Sequence, residues 1–415
     1  MADLPETPRL RPLEAFPVAV DGSELLCLRD PSGVTEAMLT VAPPVAAIVA
    51  LLDGTRTLRD VQADIMRRHG ALVPLDRLIE LVETLDRHFL LEGPRLEAER
   101  ARLVAAFRAS PVRSAAHAGR AYAAEAEALA AQLDGFFAHP DGPGPIGAPR
   151  PSRLRGLIAP HIDFQRGGPA YAWAYRAAAE TARADCFIVF GTAHAGLDGH
   201  PFAATARAYE TPFGPAPVDE EVLAAVVRRA PGDLFAAEVA HRTEHSIEFQ
   251  AVCLRYLYRP SGEFRIVPLL TSFVHECLGR GRAPGDDPAV RGTLDAIRET
   301  MAAVPRRYCL IAGADLAHVG PRFGDPAPVS PARLAEVEAE DRALLSLVAA
   351  ADPGGFLAAV VRDGDRRRIC GLSPIYALLE TLPAGRGRVL AYGQWPDPQG
   401  AVTFASVAFE EDAAA

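Results

Sequence analysis

From residue 154 onward the chain alternates short apolar runs with amphipathic stretches, and this alternation restricts the possible folds more than any other feature. Gly156-Leu157-Ile158-Ala159, Cys186-Phe187-Ile188-Val189-Phe190, 264–270 and 308–312 read as buried strands. Helical stretches at about 168–182, 219–230, 245–258 and 287–303 separate them. Strand and helix in this order predict an α/β layered domain with a largely parallel sheet. Two later runs, 388–392 and 401–409, can extend that sheet. In the second, Val402, Phe404 and Ser406 alternate with Thr403, Ala405 and Val407, which leaves its register open.

Ahead of this domain, 1–95 reads as a small, mainly helical unit. Thr57-Leu58-Arg59-Asp60 has the form of a helix N-cap, followed by Leu58, Val61 and Ile65 at helical spacing and closed by His69-Gly70. Leu78, Val82, Leu85 and Phe89 mark a second helix, and 24–28 a strand of poor alternation. Two helices and one strand suggest a winged-helix-sized module. Between the units, 97–108 and 121–134 favour helix, and the Gly- and Pro-rich 134–153 is expected to be an extended loop.

The chain of 415 residues has 43 basic and 53 acidic side chains, a net charge of −10, and every basic residue is arginine. The acidic balance speaks against nucleic acid as a partner. Without lysine, Schiff-base and P-loop chemistry are excluded. Six dispersed cysteines, with no C-x-x-C pair, fit a reducing compartment. The opening Met-Ala-Asp-Leu-Pro-Glu lacks the character of a signal peptide, and the longest apolar stretch, 41–52, contains Pro43-Pro44. A cytoplasmic protein without a membrane partner is the expectation.

Three of the four buried runs lead directly into groups able to bind metal: Pro160-His161-Ile162-Asp163, Gly191-Thr192-Ala193-His194, and Gly313-Ala314-Asp315 with His318 a turn later. Ligands collect at the carboxyl ends of strands in open α/β sheets, so these loops are expected to converge. Glu244-His245-Ser246-Ile247-Glu248 adds two acids at i and i+4 on a predicted helix, placing Glu244 or His245 at the rim as proton carrier or orienting group, or simply as a helix start. Cys370, before Gly371-Leu372-Ser373-Pro374, is placed near a helix N-terminus whose dipole favours thiolate. The other five cysteines read as core, and His241 and His275 as packing or surface residues.

Two resemblances follow from these residues. Leu51-Leu52-Asp53-Gly54-Thr55-Arg56-Thr57-Leu58, with the helix ending at Phe89-Leu90-Leu91, resembles the PqqD-like family. That resemblance implies a module holding the leader of a precursor peptide as an added strand; a structural or dimerising winged helix is the other reading. Ala159-Pro160-His161, Gly191-Thr192-Ala193-His194, 244–248, Val267-Pro268-Leu269-Leu270, Asp315-Leu316-Ala317-His318 and Ile369-Cys370-Gly371 together resemble the Memo family, the B component of the AmmeMemoRadiSam group, over about 108–410. The Memo resemblance implies a fold like class III extradiol dioxygenases. It makes His161, His194 and Cys370 the ligands of one transition-metal ion, iron ahead of copper or zinc. Asp315, His318, Glu244 and His245 form the catalytic set, with His318 moving protons beside Asp315. Thr-Ala-His stands where the family has Pro-Ser-His, and Leu-Ser follows Cys370-Gly371 in place of Arg-His.

The expected function is a non-haem metal-dependent oxidoreductase acting with dioxygen or a small molecule, on a precursor peptide where the N-terminal module holds one. The alternatives are a metal-binding redox or adaptor protein without turnover, its module recruiting a partner protein, and a metal-free scaffold.

Overall fold

The computed structural model describes residues 5–181, 184–259, 262–383, 385–397 and 399–411, so part of the opening hexapeptide read for a signal lies outside the described residues. The chain divides into two compact units, Met1–Ala109 and Ser110–Ala415.

The first unit begins with an antiparallel sheet where one strand was expected: β1 (Glu14–Val20), β2 (Ser23–Arg29) and β3 (Met38–Val41), in the order β1-β2-β3. Asp21 and Gly22 both take positive φ (50° and 77°) between the paired residues Val20 and Ser23, the two-residue turn that suits strand twist. Helices Pro43–Val49, Leu58–His69, Leu75–Arg87 and Pro94–Ala109 follow. Thr57 and Asp60 form a reciprocal capping box, and Gly70 ends that helix with φ 67°. Val61, Ile65, Leu78, Val82 and Leu85 meet Leu28 and Val41 of the sheet in one core. Three strands and four helices thus stand where one strand and two helices were read from the sequence of the small winged-helix-like domain.

In the second unit, β4 (Val112–Arg113) precedes β5 (Arg153–Ala159), β6 (Cys186–Thr192), β7 (Phe202–Ala204), β8 (Ala208–Tyr209), β9 (Arg265–Thr271), β10 (Tyr308–Gly313), β11 (Asp315–Val319), β12 (Gly387–Asp397) and β13 (Gly400–Glu411). Eight of these form one sheet in the order β11-β13-β5-β10-β6-β9-β7, with β12 on β13; β4 pairs with β8 apart from it. The four central strands β5-β10-β6-β9 are parallel, while β7, β13, β11 and β12 join antiparallel. The sheet is therefore mixed: its parallel centre answers to the four apolar runs, and antiparallel additions on both sides replace the largely parallel sheet expected.

Strand β13 settles its own register through its two faces. Thr403 Oγ1 donates to Asp341 in helix Pro331–Ala349, while Ser406 Oγ donates to the Ala170 carbonyl in helix Phe164–Ala179. Helices thus cover the sheet on both sides. Among the described residues, no helix is long and apolar enough to cross a membrane.

In the first unit a buried ion pair ties the entry segment to the hairpin. Arg11 pairs with Asp30, whose carboxylate also accepts from Ser32 N (2.8 Å), Ser32 Oγ (2.7 Å) and Thr35 N (2.9 Å). Burial by itself raises the Asp30 pKa; the hydrogen bonds from Thr35 and Ser32 and the Arg11 cation outweigh it and hold the pKa below 3.8. The stabilisation is therefore complete above the ordinary carboxyl range and is lost as pH falls through the lowered folded value. Asp30→Asn is expected to cost the first unit about 3 kcal/mol at neutral pH. Faster hydrogen exchange confined to 5–109 of the full chain checks this, and unchanged exchange there would refute it.

Candidate metal centre

Strand β10 lies between β5 and β6, with Gly313 in register with both Ala159 and Gly191. The three carboxyl ends are level, so the loops carrying His161 and His194 leave the sheet side by side. The two rings meet edge-on with centroids 4.8 Å apart. The His245 ring stacks on His194 at 4.7 Å and lies 5.4 Å from His161. One nitrogen from each of these three imidazoles falls within 4.8 Å of the others. Cys370 Sγ is 3.1 Å from His161 Nε2 and is hydrogen-bonded to His194 as well.

Two neighbours fix the tautomers. His161 Nδ1 lies 2.9 Å from the Gly313 carbonyl, which can only accept, so Nδ1 carries the proton and Nε2 presents a lone pair toward Cys370. His194 Nδ1 faces both Glu244 oxygens at 3.1 Å, which likewise directs Nε2 away from the carboxylate. Imidazoles held at Nδ1 by a carbonyl or carboxylate are the form in which histidine binds metal.

Glu244 is itself held by backbone N–H groups of His194 (2.9 Å), His245 (2.8 Å) and Ser246 (3.0 Å). Desolvation opposes its charge, but the His194 and His245 rings and these donors keep its pKa well below the usual range. Burial lowers His194 too, yet Glu244 and Cys370 outweigh it and hold that imidazole protonated in the metal-free protein. His161, fully enclosed beside His194, is pushed down to about 3, and His245 is also held neutral by burial.

Several sequence expectations change here. The helix expected from 245 begins at Glu248, so Glu244 and Glu248 do not share a helix face. Glu244 turns to His194, whereas Glu248 is sealed against Arg113 and accepts from Tyr122 Oη (2.5 Å) and His117 N (3.0 Å). Asp315 and His318 lie on a strand rather than a helical turn, with a bulge between them. Asp315 accepts from His161 N at 2.9 Å, and no hydrogen bond joins it to His318 among the described residues; its influence there is electrostatic. Burial raises the Asp315 pKa to about 6. His318 Nδ1 donates to the Leu316 carbonyl at 3.2 Å, and its ring meets Phe323. Burial also pushes the Cys370 thiol up, outweighing any help from the following helix, so the thiolate expected at that helix end is not favoured in the metal-free protein. The Leu-Ser departure has a structural use: Ser373 Oγ accepts from Phe273 N (3.1 Å) and Val274 N (3.0 Å).

Sequence reasoning missed Arg113 and His117. The fully buried Arg113 donates to the carbonyls of His241 (2.8 Å), Ser114 (2.8 Å) and Glu244 (2.7 Å) besides pairing with Glu248. His117 Nε2 donates to the Thr243 carbonyl at 2.9 Å, and its ring faces His245. No local pattern marks residues whose partners lie so far along the chain. The expected packing role of His241 is seen, for it is buried between the Tyr209 hydroxyl (2.7 Å) and the Ala203 carbonyl (2.9 Å). His275 is exposed and pairs with Asp365.

Because Glu244 orients His194, Glu244→Gln is expected to weaken binding of a ferrous or zinc ion by about 10- to 100-fold, read by competition with a chelator. Equal affinity would remove Glu244 from the centre. A Cβ at Gly371 would lie 2.4 Å from the Asp315 carbonyl oxygen and 2.7 Å from Ala314 Cβ. Gly371→Ala is therefore expected to displace Cys370, at about 1–3 kcal/mol by thermal unfolding. An unshifted unfolding curve would show that the loop has room to spare.

Residues 113–409 match the family described as Memo-like protein. A MEMO1 family protein of Aquifex aeolicus is 26% identical over 372 residues, covering 88% of this chain and 90% of that protein. Those of Thermus thermophilus (30% over 341 residues, 81% and 93% covered) and Methanopyrus kandleri (29% over 306 residues, 72% and 98% covered) are also similar. The Aquifex match covers more of the chain than residues from 110 onward supply, so it runs on into the first unit. Through its second unit the chain belongs to the Memo family.

Proposed function

We propose that this protein is a metal-dependent oxidoreductase of Memo type, with a second unit layered like class III extradiol dioxygenases and one transition-metal ion, iron first, held by His161, His194 and Cys370. The observation that carries this reading is the aim of two Nδ1-anchored imidazoles at a single thiol. Such a cluster, with one imidazolium beside a thiol held protonated, gains when a cation replaces those protons. Two nitrogens and one sulfur suit iron, copper or zinc by ligand type. When bound, the ion supplies redox and Lewis-acid chemistry to dioxygen or a small substrate.

The chain's own groups do the rest. Glu244 keeps the His194 proton on Nδ1, and the Gly313 carbonyl does the same for His161. His245, stacked on His194 and held neutral, can accept a proton at the mouth of the site, where its side chain is 30% exposed. His318 offers a second imidazole, kept neutral by burial and biased toward its charged form by Asp315.

The first unit takes the role of a PqqD-like peptide holder in this reading. Its sheet supports that role, because β1 and β3 each pair only with β2 among the described residues and leave two edges for an added strand.

Elemental analysis after anaerobic purification is expected to give close to one iron per chain, lost in His161→Ala, His194→Ala and Cys370→Ser. Metal retained in Cys370→Ser but lost in His245→Ala would move the third ligand to His245, and metal retained in His161→Ala would refute the site. Metal-dependent oxygen consumption separates the oxidoreductase from a carrier or adaptor without turnover. For the first unit, peptides encoded beside the gene are expected to slow hydrogen exchange in 14–20 or 38–41 of the full chain. No protection from any of them would remove the peptide role.

A further inference from the structure

At the amino-terminal ends of the parallel strands, opposite the metal centre, β5 and β10 meet helices Pro288–Ala303 and Leu372–Thr381 around a cavity of about 420 Å³. Its wall carries Arg153, Arg155, Arg298 and Arg306 and, among the described residues, no acidic one. Met301 and Leu382 are prominent in the apolar remainder.

Three of the arginines are already committed to acids that stand outside the wall. Arg155 pairs with Glu411, Arg298 with Asp295 and Glu380, and Arg306 with Asp219 and Glu221. Arg153 differs: its side chain makes no hydrogen bond or ion pair among the described residues, although it is partly withdrawn from water. Desolvation, followed by the nearby Arg155 charge, lowers its pKa and outweighs the pull of Glu411 and Asp185, which lie near without pairing with it. A guanidinium with no side-chain partner among the described residues, beside a partly apolar wall, can receive one planar anion.

We infer that this cavity binds a monocarboxylate with an apolar body, its carboxylate lying bidentate on Arg153 and its hydrocarbon against Met301 and Leu382. One uncommitted cation matches one carboxylate charge, whereas a phosphate dianion would ask for a second. The volume lies in the range of small-molecule sites, and the apolar wall gives a purely hydrophilic anion nothing to bury. About seven residues of strand, some 20 Å, separate this place from the metal centre, so the two sites are distinct.

Sodium octanoate titrated into the full chain by calorimetry tests this. Saturable one-to-one binding is expected, weakened roughly tenfold or more by Arg153→Gln, with octylamine and inorganic phosphate giving no comparable heat. Leu382→Asp places a negative charge in the wall and is expected to abolish binding by a separate route, which guards against a folding defect in the first variant. Chelator-treated protein is expected to bind octanoate unchanged. Four results would each overturn the inference: no saturable binding, full affinity in both variants, equal binding of octylamine, or loss on chelation.

Discussion

A single enclosed cation, Arg113, holds the geometry on which the candidate metal centre rests. Its guanidinium is cut off from water and satisfied by one carboxylate, Glu248, and three backbone carbonyls, two of which belong to the stretch between His241 and Glu244. A charge so placed cannot move without leaving another charge stranded in the core, which is several kcal/mol uphill. The stretch before helix Glu248–Tyr258 is therefore fixed. Its rigidity passes from Glu244 to the backbone and ring of His194, and from there to Cys370. The imidazoles at the sheet ends are only as well placed as this loop allows.

The same logic explains the shape of the second unit. Parallel β5, β10 and β6 bring three chain segments, drawn from between Arg153 and Gly313, to one level of the sheet. The antiparallel strands then finish its sides: β13 closes β5 and carries β11, which bears Asp315 and His318. Asp315 returns to the centre by accepting from the His161 backbone. A purely parallel arrangement would have placed those residues on a loop, without the hydrogen-bonded strand that sets them.

Where sequence and structure agree, the reason is local. The four central strands are legible because both of their faces are buried, and continuous apolar runs leave that trace; the segments after them carry His161, His194 and Asp315 in plain view. The antiparallel flanks were harder: β7 has three residues, and the Asp315–His318 spacing imitates a helical turn. Strand β1 is mostly exposed and offers no apolar face to read. Its turn alone leaves a trace in the sequence, since Asp21-Gly22 is a strong hairpin signal. Arg113 was not legible, because nothing near it in sequence announces an acid 135 residues away. Cys370 was found, but its ionisation was misjudged, because the dipole of a helix end is weaker than enclosure in protein.

The anchors behind the two strand-end imidazoles differ in kind. A peptide carbonyl stands behind His161 and a carboxylate behind His194. A carboxylate draws the Nδ1 proton toward itself and pushes electron density onto the opposite nitrogen, while a carbonyl does so only weakly. The two rings are thus unequal Lewis bases, and the fold builds a directional electronic field into a cluster whose residue types look symmetric. Were a cation bound between them, its more electron-rich side would be set by the backbone course around Glu244 and not by the residue types of the two rings.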